Sequence, residues 1–140
     1  MNLPLYTAAL GAFVIVLQVI LMVMVGSRRL KGPPVGTGGD KDMERRMRRH
    51  GNLAENSGLF IAVFAVYELL VGQTAYLFGL CVLFAVARIL HAASFSSLAG
   101  SHGEDLSGPR ALYGLARGLG AFGTLLTALG VAGGIVAYLI

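Results

Sequence analysis

From Leu3 to Gly26 the chain runs without one charged residue. As a helix at about 1.5 Å per residue this stretch reaches ~36 Å, enough to cross a hydrocarbon core of about 30 Å. Three further apolar stretches follow, at 43–71, 75–97 and 111–140, the first of them interrupted by Glu55, Asn56 and Glu68 and the next by Arg88 and His91. In a chain of 140 residues of which 56% are apolar, these account for almost everything. The expected fold class is all-α, a polytopic membrane protein built as one four-transmembrane-helix bundle over residues 1–140, with spans 3–26, 43–71, 75–97 and 111–140.

The formal charge of +4 is concentrated: 8 of the 11 Lys and Arg lie between Arg28 and Arg49. Wedged between two spans, such a cluster sets topology or meets anionic lipid, and it argues against a nucleic-acid partner. By the positive-inside rule the first loop is cytoplasmic. The third loop, 98–108, then lies beside it, and both termini face the other side. The turn Gly72-Gln73-Thr74 is so short that spans two and three must be antiparallel neighbours. The first apolar stretch has no basic flank before it and is too long for a signal-peptide core, so a retained span is expected. Cys81 is the single cysteine, sits in an apolar run, and reads as packing.

Chemistry is expected where polar residues enter the bundle. Placed at 100° per residue, Arg45, Arg48, Arg49, Asn52, Glu55 and Asn56 fall within an arc of about 120° on span two. His50 points elsewhere, which suits a structural hydrogen bond. On span three, Arg88, His91 and Phe95 share a face at a depth comparable to Glu55, so Arg88 and Glu55 are candidates to pair. Charges in a membrane cost ~2.5 to 3.5 kcal/mol on insertion scales, so Glu55, Arg88 and Arg117 must face a partner, the interior or a wet cavity. Structural ion pairs would satisfy that need, but guanidinium outnumbers carboxylate on the stripe and leaves capacity for an anionic ligand.

Other site types lack their motifs. No strand precedes and no Gly-Lys-Ser/Thr follows the glycines at 36, 38 and 39, so they form a loop, with Asp40 or Asp42 as N-cap of the next helix. No histidine has a Cys or carboxylate at metal-ligand spacing, so no metal is expected, and no nucleophile elbow frames Ser94, Ser96 or Ser97. Gly114/Gly118 and Gly130/Gly134 stand four apart on span four, a spacing that permits close helix contact.

The run Glu44 to Glu55, with Arg48, His50, Asn52 and Glu55 as its Arg-x-His-x-Asn-x-x-Glu core, resembles the signature of the MAPEG family, the membrane-associated proteins of eicosanoid and glutathione metabolism. Gly36-Thr37-Gly38-Gly39 looks like the glycine cluster of its bacterial members. Arg88-Ile89-Leu90-His91 is similar to the family's Arg-x-x-His, and Arg117-Gly118-Leu119-Gly120 looks like its Arg-x-x-Gly. The resemblance implies a homotrimer in a bacterial inner membrane that binds glutathione between subunits and takes a lipophilic second substrate, or a lipid, from the bilayer. It implies that Arg45, Arg48, His50, Asn52, Glu55, Arg88 and His91 bind glutathione and that Arg117 faces the thiol. Arg110 is the rival for that role, with Tyr113 as helper.

A guanidinium beside sulfur favours the thiolate, which would attack an electrophile or a hydroperoxide. The expected function is therefore a glutathione-dependent transferase or peroxidase. Phe95 stands where family synthases often carry tyrosine, and Gly51 where some carry arginine. These departures argue against a dedicated prostaglandin or leukotriene synthase. They leave a non-catalytic lipid-binding or scaffold member as the alternative. A blander possibility is a small transporter or channel subunit with Arg88 and Glu55 as a buried ion pair.

Overall fold

The computed structural model describes residues 3–102 and 107–140. It contains four long helices, α1 (Leu5–Arg29), α2 (Lys41–Val71), α3 (Ala75–Ser94) and α5 (Ala111–Leu139), each long and apolar enough to cross a membrane. A five-residue helix, α4 (Leu98–His102), and a 3-10 turn (Gly108–Arg110) lie between α3 and α5. The protein is an all-α integral membrane protein, and its described residues contain no strand.

Local chemistry sets the helix ends. Asp40 is the N-cap of α2, its Oδ1 accepting from the backbone N–H of Asp42 at 2.9 Å and of Met43 at 3.3 Å, so the helix starts two residues before the expected apolar span. Gly72 ends α2 at φ 88°, a conformation glycine adopts without steric cost. Thr74 caps α3 by accepting from Leu77 N–H. The three-residue turn makes α2 and α3 antiparallel neighbours, with Phe60 stacked on Phe84 at 4.4 Å in the core.

Helix α3 stops at Ser94, three residues short of the expected end. Ser94 Oγ bonds back to His91 O at 2.7 Å, and the carbonyls of Phe95 and Ser96 turn toward Arg45. The expected third loop, 98–108, opens instead as α4, whose Gly100 N–H reaches Ser97 Oγ; residues 103–106 of that loop lie outside the described residues.

The tightest helix pair is α3 with α5, and glycine permits it. A Cβ on Gly120 would lie 2.9 Å from both Ala87 O and His91 N. The four-apart spacing read from the sequence is only partly the contact: Gly130 and Gly134 meet Leu80 and Tyr67, but Gly118 faces open space. At the other end of the bundle, fully buried Glu68 of α2 accepts from the backbone N–H of Tyr6 and Thr7 and from Thr7 Oγ, at 2.7 to 2.9 Å. A carboxylate on the positive end of α1 offsets the cost of burying that charge.

Candidate functional site

The polar stripe of α2 is divided among three neighbours. One edge faces α1, where Arg49 reaches Met24 Sδ at 3.6 Å. Its centre faces α3. Its other edge opens onto a cavity of about 710 Å³ lined by Glu44, Arg48, Asn52 and Glu55 of α2, by His91 of α3 and by Phe95 just past its end, with Thr37, Met47 and Gly51. A tripeptide-sized ligand fits a volume of this order.

Arg48 donates from Nε to Glu44 Oε1 at 2.9 Å, one helical turn back. His102 of α4 approaches the other Glu44 oxygen at 3.3 Å, tying α4 to the cavity rim. Glu55 is exposed and has no ion pair among the described residues. His91 and Phe95 sit 5.2 Å apart between ring centroids on the opposite wall.

The expected Arg88–Glu55 pair does not form. Arg88 is 3% exposed and turns into the bundle, donating to Asn52 Oδ1 at 2.9 Å, to Thr124 Oγ1 and to Gly120 O, with its guanidinium 5.4 Å from the Phe84 ring centroid. Its Nε has no partner among the described residues. Dipoles and an aromatic face, not a carboxylate, stabilise this charge, because α5 approaches closely enough at Gly120 to offer its backbone oxygen. Arg88 occupies Asn52 Oδ1, which leaves the Asn52 amide N–H₂ as the group facing a cavity ligand.

The other predicted residues are not on the cavity wall. Arg45, 6% exposed, binds Asp42 and the carbonyls of Phe95 and Ser96 at 2.8 and 2.9 Å, bolting α2 to the end of α3. His50 meets Gln18 of α1 at 2.6 Å, the structural bond its angular position suggests. Arg117 lies behind the wall: its guanidinium carbon is 4.4 Å from the Phe95 ring centroid and it donates to Gly100 O at 2.8 Å. Tyr113 packs on the same Gly100, where an added methyl would overlap its ring. Arg110 is exposed at the head of α5.

The structure thus brings together Arg48, Asn52, Glu55 and His91, backs them with Arg88 and Arg117, and assigns Arg45 and His50 to helix packing. Glu44 and Thr124 were not singled out from sequence. Glu44 was visible in principle, since Glu-x-x-x-Arg on a helix is a pairing distance; Thr124 depends on how α3 crosses α5. Guanidinium, amide, carboxylate and imidazole on one open wall suit a ligand with both carboxylate and ammonium groups. No group of three His, Cys, Asp or Glu capable of holding a metal occurs among the described residues.

No curated protein matches the chain. Residues 4–137, nearly its whole length, match the MAPEG family, and with the membrane helices and the placement of the signature residues on α2 and α3 this is conclusive: the chain belongs to the MAPEG family.

Proposed function

We propose that this protein binds glutathione in the cavity between α2 and α3 and activates its thiol against a lipophilic electrophile or hydroperoxide. The observation that carries this reading is the cavity of about 710 Å³ where Arg48, Asn52, Glu55 and His91 converge at the charged end of a membrane bundle. In it, Arg48 and the Asn52 amide hold the carboxylates of glutathione and Glu55 holds its ammonium. The ligand carboxylate takes Arg48 over from Glu44. The open side of the cavity and Glu55 at its edge, which has no ion pair among the described residues, support closure by a second copy of the chain, and family membership supports a homotrimer as that assembly. The clustered arginines support an orientation with the first and third loops in the cytoplasm and both termini outside, and the likeness of Gly36-Thr37-Gly38-Gly39 to the glycine cluster of bacterial members supports a bacterial inner membrane.

In conjugation the thiolate forms an S–C bond as the leaving group departs. With a hydroperoxide the sulfur attacks the distal oxygen, an S–O bond forms as the O–O bond breaks, and the alkoxide leaves as the alcohol after taking up a proton; a second glutathione then displaces water from the sulfenic acid to give the disulfide. The thiol-facing arginine in this reading is Arg117, whose guanidinium lies 4.4 Å from the centroid of the Phe95 ring that lines the cavity. Arg110 competes for the role because its exposed guanidinium has no partner among the described residues. Either would favour the thiolate electrostatically.

A second reading, a non-catalytic lipid-binding or scaffold member, is favoured by Phe95 on the cavity wall, which offers no hydroxyl to a thiol or peroxide. Turnover separates the two. Purified protein should conjugate a chloronitrobenzene or reduce an alkyl hydroperoxide at the expense of glutathione, and Arg117→Ala should lower the rate about a hundredfold while Arg110→Ala leaves it within a few-fold. Binding of glutathione without turnover toward either substrate would favour the second reading.

A further inference from the structure

At the end of the bundle away from the arginines, α2, α3 and α5 line a second, open cavity of about 460 Å³. Tyr67, Tyr76 and Tyr138 line it, one from each helix, over a floor that includes Gly133, Gly134 and Ala137. No charged residue lines it, and Glu68, next to Tyr67 in sequence, is engaged with the start of α1.

The tyrosines differ from a belt of interfacial anchors in two respects. The Tyr67 and Tyr76 rings stand at 73° to each other with centroids 6.3 Å apart, forming a corner and not a row. Tyr76 spends its hydroxyl on Gly130 O at 2.9 Å, which fixes the ring. Tyr67, only 5% exposed, has no hydrogen-bond partner for its hydroxyl among the described residues, and that hydroxyl lies against Gly134 on the cavity floor. The Tyr67 ring is buried, while its hydroxyl is an unused donor open to the cavity, where it can meet an acceptor from outside the chain.

We propose that this cavity seats the headgroup of a zwitterionic phospholipid, with its phosphate or ester oxygen accepting from Tyr67 and its ammonium against the faces of Tyr76 and Tyr138. The aromatic faces attract a cation, most strongly where water is excluded. The absence of Lys and Arg from the lining gives an anionic headgroup no countercharge, so the site discriminates against anionic lipid although the opposite end of the bundle is rich in arginine. Helices α2, α3 and α5 all end or begin here, which puts the cavity at headgroup depth.

Native mass spectrometry of the full chain, titrated in detergent with phosphatidylcholine or with phosphatidylglycerol of identical acyl chains, tests this. The expected result is preferential retention of phosphatidylcholine, reduced about fivefold by Tyr67→Phe, which removes one hydrogen bond and keeps the ring. Tyr138→Ala, at a half-exposed ring outside the core, should reduce it by a similar factor, and neither variant should alter phosphatidylglycerol retention. Equal retention of the two lipids, or phosphatidylcholine retention unchanged in both variants, would overturn the proposal and leave the tyrosines as interfacial anchors.

Discussion

The Arg88 guanidinium on α3 donates to the Asn52 side-chain oxygen on α2 at 2.9 Å and so connects the cavity wall to the interior of the bundle. Its other contacts are to Gly120 O and Thr124 Oγ1 of α5, so one side chain joins three helices. A planar fork is needed to reach both sides.

Arg88→Lys should therefore behave as a disruptive substitution. An ammonium cannot span Asn52 and α5 together, and one buried acceptor loses its partner at a cost of about 1–3 kcal/mol. We expect a lower melting temperature in detergent and weaker glutathione binding, because the Asn52 amide is free to rotate. Calorimetry of both proteins checks the second effect; unchanged affinity would mean that Arg88 does not orient Asn52.

Gly120 and Gly118 make a matched pair for testing the α3–α5 contact. Gly120→Ala places a methyl 2.9 Å from two backbone atoms of α3, which cannot withdraw as a flexible side chain would, and should destabilise by about 1–3 kcal/mol. Gly118→Ala meets nothing within 4 Å and should be neutral or stabilising by up to about 1 kcal/mol through helix propensity. Thermal unfolding of the two variants should move in opposite directions or differ by several degrees.

The cap of α2 predicts an acid dependence. Partial burial works to raise the Asp40 carboxyl, but the hydrogen bond from Arg28, those from the Met43 and Asp42 backbone, and the Arg28 charge outweigh it and hold it below the usual carboxylate range. A folded-state value below the unfolded one means stability that is complete above the unfolded value, about 4, and lost as pH falls through the folded one. Asp40→Asn keeps a capping oxygen but no charge. Its melting temperature should be lower than that of the parent at neutral pH, and the two should converge on acidification below about pH 4.

How far the sequence carried can be seen at particular residues. The four spans were legible because apolar stretches of about 20 residues have few other uses, even where a few charges interrupt them, and Asp40 because capping is local. Arg48, Asn52 and Glu55 were legible as one helix face. Arg88 was assigned to Glu55 by matching depth, a reasoning that treats helices as parallel rods. The rotation of α3 that brings Ala87 and His91 onto Gly120 turns Arg88 toward α5, and such rotations come from packing across more than 30 residues of sequence separation. The early end of α3 was hidden for a related reason: the Phe95 and Ser96 carbonyls leave the helix to meet Arg45, whose position depends on α2.

The central claim, an activated glutathione thiol in the α2–α3 cavity, is tested most directly by ultraviolet difference absorbance of the purified protein titrated with glutathione at neutral pH, with S-methylglutathione as the control that cannot ionise. The account predicts a saturable thiolate signal, absent with the control, that Arg48→Ala shifts to higher glutathione concentration and Arg117→Ala abolishes. No thiolate signal at saturating glutathione would contradict it.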